Sequence, residues 1–151
     1  DHIRISVKAI IIRDGKILLT KNRDPQGIFY LLPGGRQTPG ETAAEALRRE
    51  CLEEVGALVQ SGPLLFVRDY ISEHHEFAGE HEDVHQVELM FAADLREEPA
   101  QRAASNPDTM QVGIEWVPLA EVQERRLYPS ALKHLLARPL PEGAVYLGDV
   151  N

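Results

Sequence analysis

The chain has 151 residues, 43% hydrophobic and 26% charged, the balance of an ordinary globular domain long enough to bury a core without disulfides. No apolar run approaches the roughly 18 residues a membrane helix needs, so no membrane partner is expected. With 24 acidic against 16 basic residues, the net charge of -8 repels polyanions and argues against a long DNA or RNA ligand. The single cysteine, Cys51, allows no internal disulfide and points to a reducing, cytoplasmic compartment.

In chain order, the first eight residues alternate apolar and polar side chains, unlike a signal peptide, and read as a strand. Ile3 to Ile12 and Lys16 to Thr20 are aliphatic or β-branched runs separated by Asp14-Gly15, the signature of a hairpin. A polar turn over Asn22 to Gly27 leads into the short strand Phe29 to Leu32. Pro33-Gly34-Gly35 ends that strand in a loop of special backbone geometry. Thr42-Ala43-Ala44-Glu45 has the form of a capping box, which predicts a helix from there to Val55 with Gly56 as its stop. At about 100° per residue, Ala44, Leu47, Cys51 and Val55 form an apolar stripe facing the core.

Leu64 to Ile71, Val87 to Leu95 and Val112 to Val117 read as further strands, and Leu119 to Gln123 and Ser130 to Ala137 as short helices. This order predicts an α/β fold, one mixed sheet with helices packed against it, in one domain over residues 1–151. Residues 139–151 would be an extension that docks or frays. Glu73 to His85 and Arg96 to Met110 read as surface loops.

Glu50, Glu53 and Glu54 are three and four apart, so on a helix they share one side, about a quarter turn from the apolar stripe. Their repulsion is unfavourable unless a cation neutralises it, and oxygen-only ligands suit a hard ion such as Mg2+ or Mn2+. A Glu-rich string alone is commonly just a solvated helix face. The residues around it change that. Gly35, five residues, Glu41, seven residues, then Arg49-Glu50-Cys51-Leu52-Glu53-Glu54-Val55-Gly56-Ala57 resembles the Nudix box at every fixed position. Cys51 and Ala57 are smaller than the usual residues at its apolar positions, a departure that bears on packing.

The resemblance implies a Nudix-type α/β/α sandwich with a mixed β-sheet flanked by helices. It also implies Mg2+-dependent hydrolysis of a phosphoanhydride bond in a nucleoside diphosphate linked to another moiety, with Mn2+ able to substitute. By position, Glu50 and Glu54 would bind metal, the Gly35 carbonyl would add a ligand, and Glu53 would be a ligand or the base. Arg49 and Glu41 would orient those carboxylates. A homodimer is common among such relatives.

Splitting a phosphoanhydride needs charge neutralisation and an activated, aligned water, so no cysteine or serine nucleophile is required, and Cys51 reads as core. Lys21, Arg23, Arg36 and Arg68, and also Arg4, are cations that could meet phosphates. Each is otherwise an ordinary surface charge. Of Phe29 and Tyr30, strand alternation places one in the core and leaves the other, with Tyr30 the choice, to stack on a base.

A further acid could come from Asp108, Glu115, Glu82 or Glu88. His74, His75, His81 and His85 lack a paired zinc-ligand spacing and read as a loop edging the site or a dimer contact. A nucleotide-binding module without catalysis is the alternative, as is an isomerase of the same fold, for which Cys51 is badly placed. Motifs tied to ADP-ribose, diadenosine polyphosphate, coenzyme A or NADH substrates are not evident, which leaves a nucleoside triphosphate or another nucleotide derivative.

Overall fold

Asp14 and Gly15 both adopt positive φ, 53° and 74°, and so turn the chain tightly between Arg13 and Lys16, the first fixed point of the architecture. The structure, a computed structural model, describes residues 2–75, 83–100 and 110–151. His81, Glu82 and Asp108 lie outside the described residues. The strands are β1 (Arg4–Ile10), β2 (Ile12–Arg13), β3 (Lys16–Asp24), β4 (Gly27–Leu31), β5 (Gly34–Arg36), β6 (Val59–Ile71), β7 (His85–Leu95), β8 (Gln111–Pro118), β9 (Leu127–Tyr128) and β10 (Val145–Asp149). The helices are α1 (Ala43–Val55) and the short α2 (Leu132–Leu136).

The expected α/β sandwich forms, with its strands divided between two sheets where one was expected. One sheet has the order β10-β6-β7-β1-β5; the other runs β2-β3-β4-β9, with β8 also paired to β3. The expected first strand breaks at Ile11, where the chain leaves the first sheet and enters the second. Both sheets are mixed: β1 lies parallel to β7 and antiparallel to β5, and β9 lies parallel to β4 while β3 runs antiparallel to its partners.

Side chains that alternate along these strands feed two cores. Val7, Ala9, Ile11 and Leu18 pack on α1, whereas Ile10, Ile17, Leu19 and Met90 pack on Val122, Leu132 and Leu136. Helical cover on both faces follows from that period of two.

Helix α1 starts as its sequence requires. The Thr42 hydroxyl accepts from the Glu45 amide at 3.1 Å, and the Glu45 carboxylate accepts from the Thr42 amide at 2.9 Å. Gly56, at φ 66°, ends it in the left-handed conformation. Its buried stripe is Ala46, Leu47, Cys51 and Val55, with Ala43 packed alongside, while Ala44 is exposed. Ala43 is four residues before Leu47 and continues the 47, 51, 55 row, whereas Ala44, expected in that stripe, turns away from it. Burial of Leu47 and Val55 contributes roughly 1.5–3 kcal/mol each.

Other differences come from pairing at a distance. The expected helix over Leu119 to Gln123 is a 3-10 segment, Leu119–Glu124, and the one over Ser130 to Ala137 shortens to α2. Strand β6 begins five residues earlier than expected, at Val59, because Val59 and Gln60 find partners in Leu95 and Asp94 of β7. The extension docks: β10 pairs with β6 in parallel. Among the described residues no helix is long and apolar enough to cross a membrane.

Cys51 is fully buried, and burial, reinforced by the nearby Glu54 charge, pushes its thiol up to about 12. It should therefore resist a thiol reagent at neutral pH in the folded chain and react at once in denaturant. Fast native-state labelling would place it outside the α1 core.

Candidate active site

Two glycines let β5 lie close to β1 on one side and α1 on the other. Gly34 has φ 141°, and a Cβ there would stand 2.0 Å from the Val7 carbonyl oxygen; at Gly35 a Cβ would stand 2.5 Å from the Glu50 carboxyl carbon. A side chain at Gly34 would therefore push β5 off β1, and one at Gly35 would push Glu50 and its helix off the strand. With none present, the Gly34 amide donates to the Glu54 carboxylate at 3.0 Å, and Glu50 lies directly over Gly35.

Arg49 gathers the rest. Its guanidinium donates to both Glu41 oxygens, at 2.8 and 3.0 Å, to Glu50 at 2.9 Å and to the Arg36 carbonyl at 2.9 Å; Glu53 stands 3.7 Å away. Glu41 also accepts from the Thr38 amide at 2.8 Å, which fixes the loop before α1. A bidentate guanidinium fork is pre-organised for such a junction in a way a lysine is not.

These surroundings split the carboxylates electrically. The Arg49 hydrogen bonds, with help from the Thr38 amide, draw Glu41 down to about 2. Burial pushes Glu54 up to about 7, and the charges of Glu50 and Glu53 add to that; Lys8 and the Gly34 amide oppose it. Arg49 itself is held more firmly protonated by the Glu41 and Glu50 hydrogen bonds.

Among the described residues, no three His, Cys, Asp or Glu side chains are gathered closely enough to hold a metal ion. The expected convergence of Glu50, Glu53 and Glu54 is thus not seen: Arg49 draws Glu50 one way, the Gly34 amide draws Glu54 inward, and Glu53 is 61% exposed. Each donor nevertheless fits a hard divalent ion. They are oxygens only, Glu50 rests over an α-carbon with no side chain, and Glu54 is a half-buried carboxylate whose charge is under-compensated.

The cations proposed from sequence scatter. Arg36 is exposed and, with Arg4 and Glu41, borders an open cleft of about 490 Å³. Lys21 lies 3.8 Å from Glu115, and Arg23 is exposed. Phe29 and Tyr30 are both buried, against the expectation that one would be free, because both faces of β4 are covered. Tyr30 joins the core and donates to Glu115 at 3.0 Å; Phe29 packs edge-on against Tyr128.

Arg68 is no surface cation. It is 5% exposed, donates to Glu88 at 2.8 Å, and reaches the Val150 carbonyl at 2.6 Å. Removing either partner of such a pair strands a buried charge, a loss of roughly 3–5 kcal/mol. Glu88 and Glu115, two of the candidate acids, are therefore already engaged, by Arg68 and by Tyr30 and Arg125.

Sequence reasoning passed over Lys8. Its amine donates to the Leu32 carbonyl at 3.3 Å and acts electrostatically on both Glu54 and Glu88. The available signal was a lone charge inside the apolar run Val7-Lys8-Ala9-Ile10-Ile11. With Arg68, Gln86, Glu88 and Tyr128 it lines a cavity of about 180 Å³.

Residues 2–138 match the NUDIX domain family model. A nucleoside triphosphatase, NudI, of Escherichia coli O1:K1 is 36% identical over 94 residues, covering 58% of this chain and 66% of that protein, just under two thirds of the length of the curated relatives it matches. Among solved structures, a MutT NUDIX hydrolase from Burkholderia pseudomallei is 29% identical with a TM-score of 0.68, over 88% of this chain and 96% of that one. A mutator MutT protein from Bacillus halodurans, at 21% identity, shares the fold with a TM-score of 0.70 over 97% of this chain and 88% of that one.

Glu41 gives a pH test. Its folded value of about 2 lies below its ordinary 4.5, so its stabilising effect is complete above 4.5 and is lost as pH falls through about 2. Glu41→Gln should melt a few degrees below the parent at pH 7, and the two curves should meet near pH 2. Parallel curves over that window would show that the Arg49 pairing contributes nothing.

Proposed function

The chain belongs to the NUDIX domain family, and from that premise we propose that it hydrolyses a phosphoanhydride bond in a nucleoside diphosphate linked to another moiety, a nucleoside triphosphate or related nucleotide. The observation that carries this reading is the pair of α1 carboxylates pressed on the Gly34-Gly35 backbone, with Arg49 fixing Glu50. The relative named as a nucleoside triphosphatase supports the substrate class.

In this reading Glu50, Glu54 and the Gly35 carbonyl hold Mg2+, or Mn2+ in its place, and Glu53 is a further ligand or the base. The bound ion would neutralise phosphoryl oxygens and acidify a water. The chain's own residues set the geometry. Arg49, anchored by both Glu41 oxygens, keeps Glu50 from turning to solvent, and the Gly34 amide keeps Glu54 pointed inward. Glu53, 61% exposed and only loosely paired with Arg49, has the freedom to take a proton.

Arg36 and Arg4, at the 490 Å³ cleft beside Glu41, are the cations best placed to meet phosphate oxygens; Lys21, Arg23 and Tyr30 lie on the other sheet. A small anion is the expected ligand because a surface of net charge -8 admits one only where cations or metal screen it. The lone, buried Cys51 suits a reducing, cytoplasmic setting.

The test is a panel of nucleoside triphosphates and nucleoside diphosphate derivatives with Mg2+ or Mn2+, reading released phosphate and pyrophosphate. The parent should turn over at least one compound, and only with metal; tight binding without turnover would favour a nucleotide-binding module instead. Glu54→Gln should reduce kcat by at least about a hundredfold, the scale of losing a metal-holding or water-activating group. Its melting temperature without metal should stay level or rise, because burial opposes the native charge. Undiminished turnover in that variant would sink the assignment.

A further inference from the structure

We infer that β10 with Val150 and Asn151 is a strap that belongs to the site: it holds Arg68 at the edge of the 180 Å³ cavity, making Arg68 a positioning residue whose setting decides which nucleotides fit. The inference rests on the hydrolase reading above and deepens it.

Within β10, Leu147 packs against the core, while Val145 is 41% exposed and Tyr146 64%. Polar contacts carry the rest. Asp149 accepts from the Ile71 amide at 3.1 Å and pairs with His74 Nδ1 at 2.8 Å and His75 Nε2 at 2.7 Å; the Tyr146 hydroxyl donates to Asp69. Beyond β10, Arg68 donates to the Val150 carbonyl at 2.6 Å and the Asn151 side-chain oxygen at 3.2 Å, and the Ser130 hydroxyl donates to the Asn151 carbonyl at 2.6 Å. The strap thus bridges β6 and the segment before α2.

Arg68 is gripped from two sides. Glu88, opposite it on β7, takes Nε, while the strap takes Nη1. Its guanidinium therefore cannot swing without breaking a buried pair or lifting the strap. The cavity it borders is smaller than the roughly 300 Å³ that holds a whole small ligand, so it takes one group of a nucleotide. Arg68 and Lys8 face Glu88, and Lys8 also answers Glu54, which leaves the charge balanced. Leu31, Leu32 and Pro129 supply apolar wall. An uncharged hydrogen-bonding group, such as sugar or base, fits that lining better than another phosphate.

Asp149→Ala removes the latch without touching the cavity. Arg68 should then react with phenylglyoxal at least several-fold faster than in the parent, read by peptide mass spectrometry. KM for the best nucleotide should rise roughly tenfold with kcat within about twofold, the change expected from losing one charge-assisted hydrogen bond. The rank order of the panel should shift as well. Asp149→Asn, which keeps an acceptor for the Ile71 amide, should recover most of the parent behaviour. Equal Arg68 labelling in parent and Asp149→Ala would overturn the proposal, and so would a lowered melting temperature or kcat with KM and rank order unchanged. A parent that hydrolyses nothing on the panel fails the hydrolase reading instead, and the labelling contrast still decides whether the strap holds Arg68.

Discussion

The close approach of α1 to the Gly34-Gly35 strand is the constraint on which the site depends. A helix carboxylate can lie that near a backbone only where no Cβ intervenes, as at Gly35, where one would meet Glu50; at Gly34 a Cβ would instead meet the Val7 carbonyl of the neighbouring strand β1. The contact joins both layers of the fold. Gly34 and Gly35 pair with Lys8 and Val7 of β1, and Val7 lies in the core that α1 covers, so the strand that presents the amide to Glu54 is also anchored to the hydrophobic face of the same helix. Moving the helix would break packing and polar geometry together.

Electrostatics then explains why an acidic chain can keep this arrangement. Glu41, Glu50 and Glu53 all stand within reach of one guanidinium, whose positive charge offsets theirs. Glu54 has no such partner. Its charge is opposed by burial and by two neighbouring carboxylates, and only Lys8 and the Gly34 amide compensate it. Lys8 carries a second duty toward Glu88, where burial would raise the carboxyl but Arg68 and Lys8 together hold it below its usual range. Lys8 therefore links the α1 site to the buried Arg68-Glu88 pair, and through Arg68 to Val150, the residue after β10.

Much of this was legible from the chain alone wherever a signal repeats or closes over a few residues. The Thr42-Glu45 capping box, the Gly56 stop and the Leu47, Cys51, Val55 row are all contained in fifteen residues, and they form as read. The Asp14-Gly15 turn is another case, since two positive φ angles need little from the rest of the molecule. The spacing from Gly35 through Ala57 carried the family resemblance because it lies on one loop and one helix, whose geometry is local.

What the sequence determined by itself is therefore the helix, the hairpin and the spacing that marks the family. The tertiary structure decided where Glu50, Glu53 and Glu54 point, that the strands divide into two sheets, that Phe29 and Tyr30 are both covered, and that Arg68 is buried. The physical reason is separation along the chain. The bonds that turn Glu54 inward, pair Arg68 with Glu88, and tie Arg68 to Val150 span 20, 20 and 82 residues. A hydrogen-bonding side chain carries no local mark of a partner so distant, whereas a capping residue and its amide are only three positions apart.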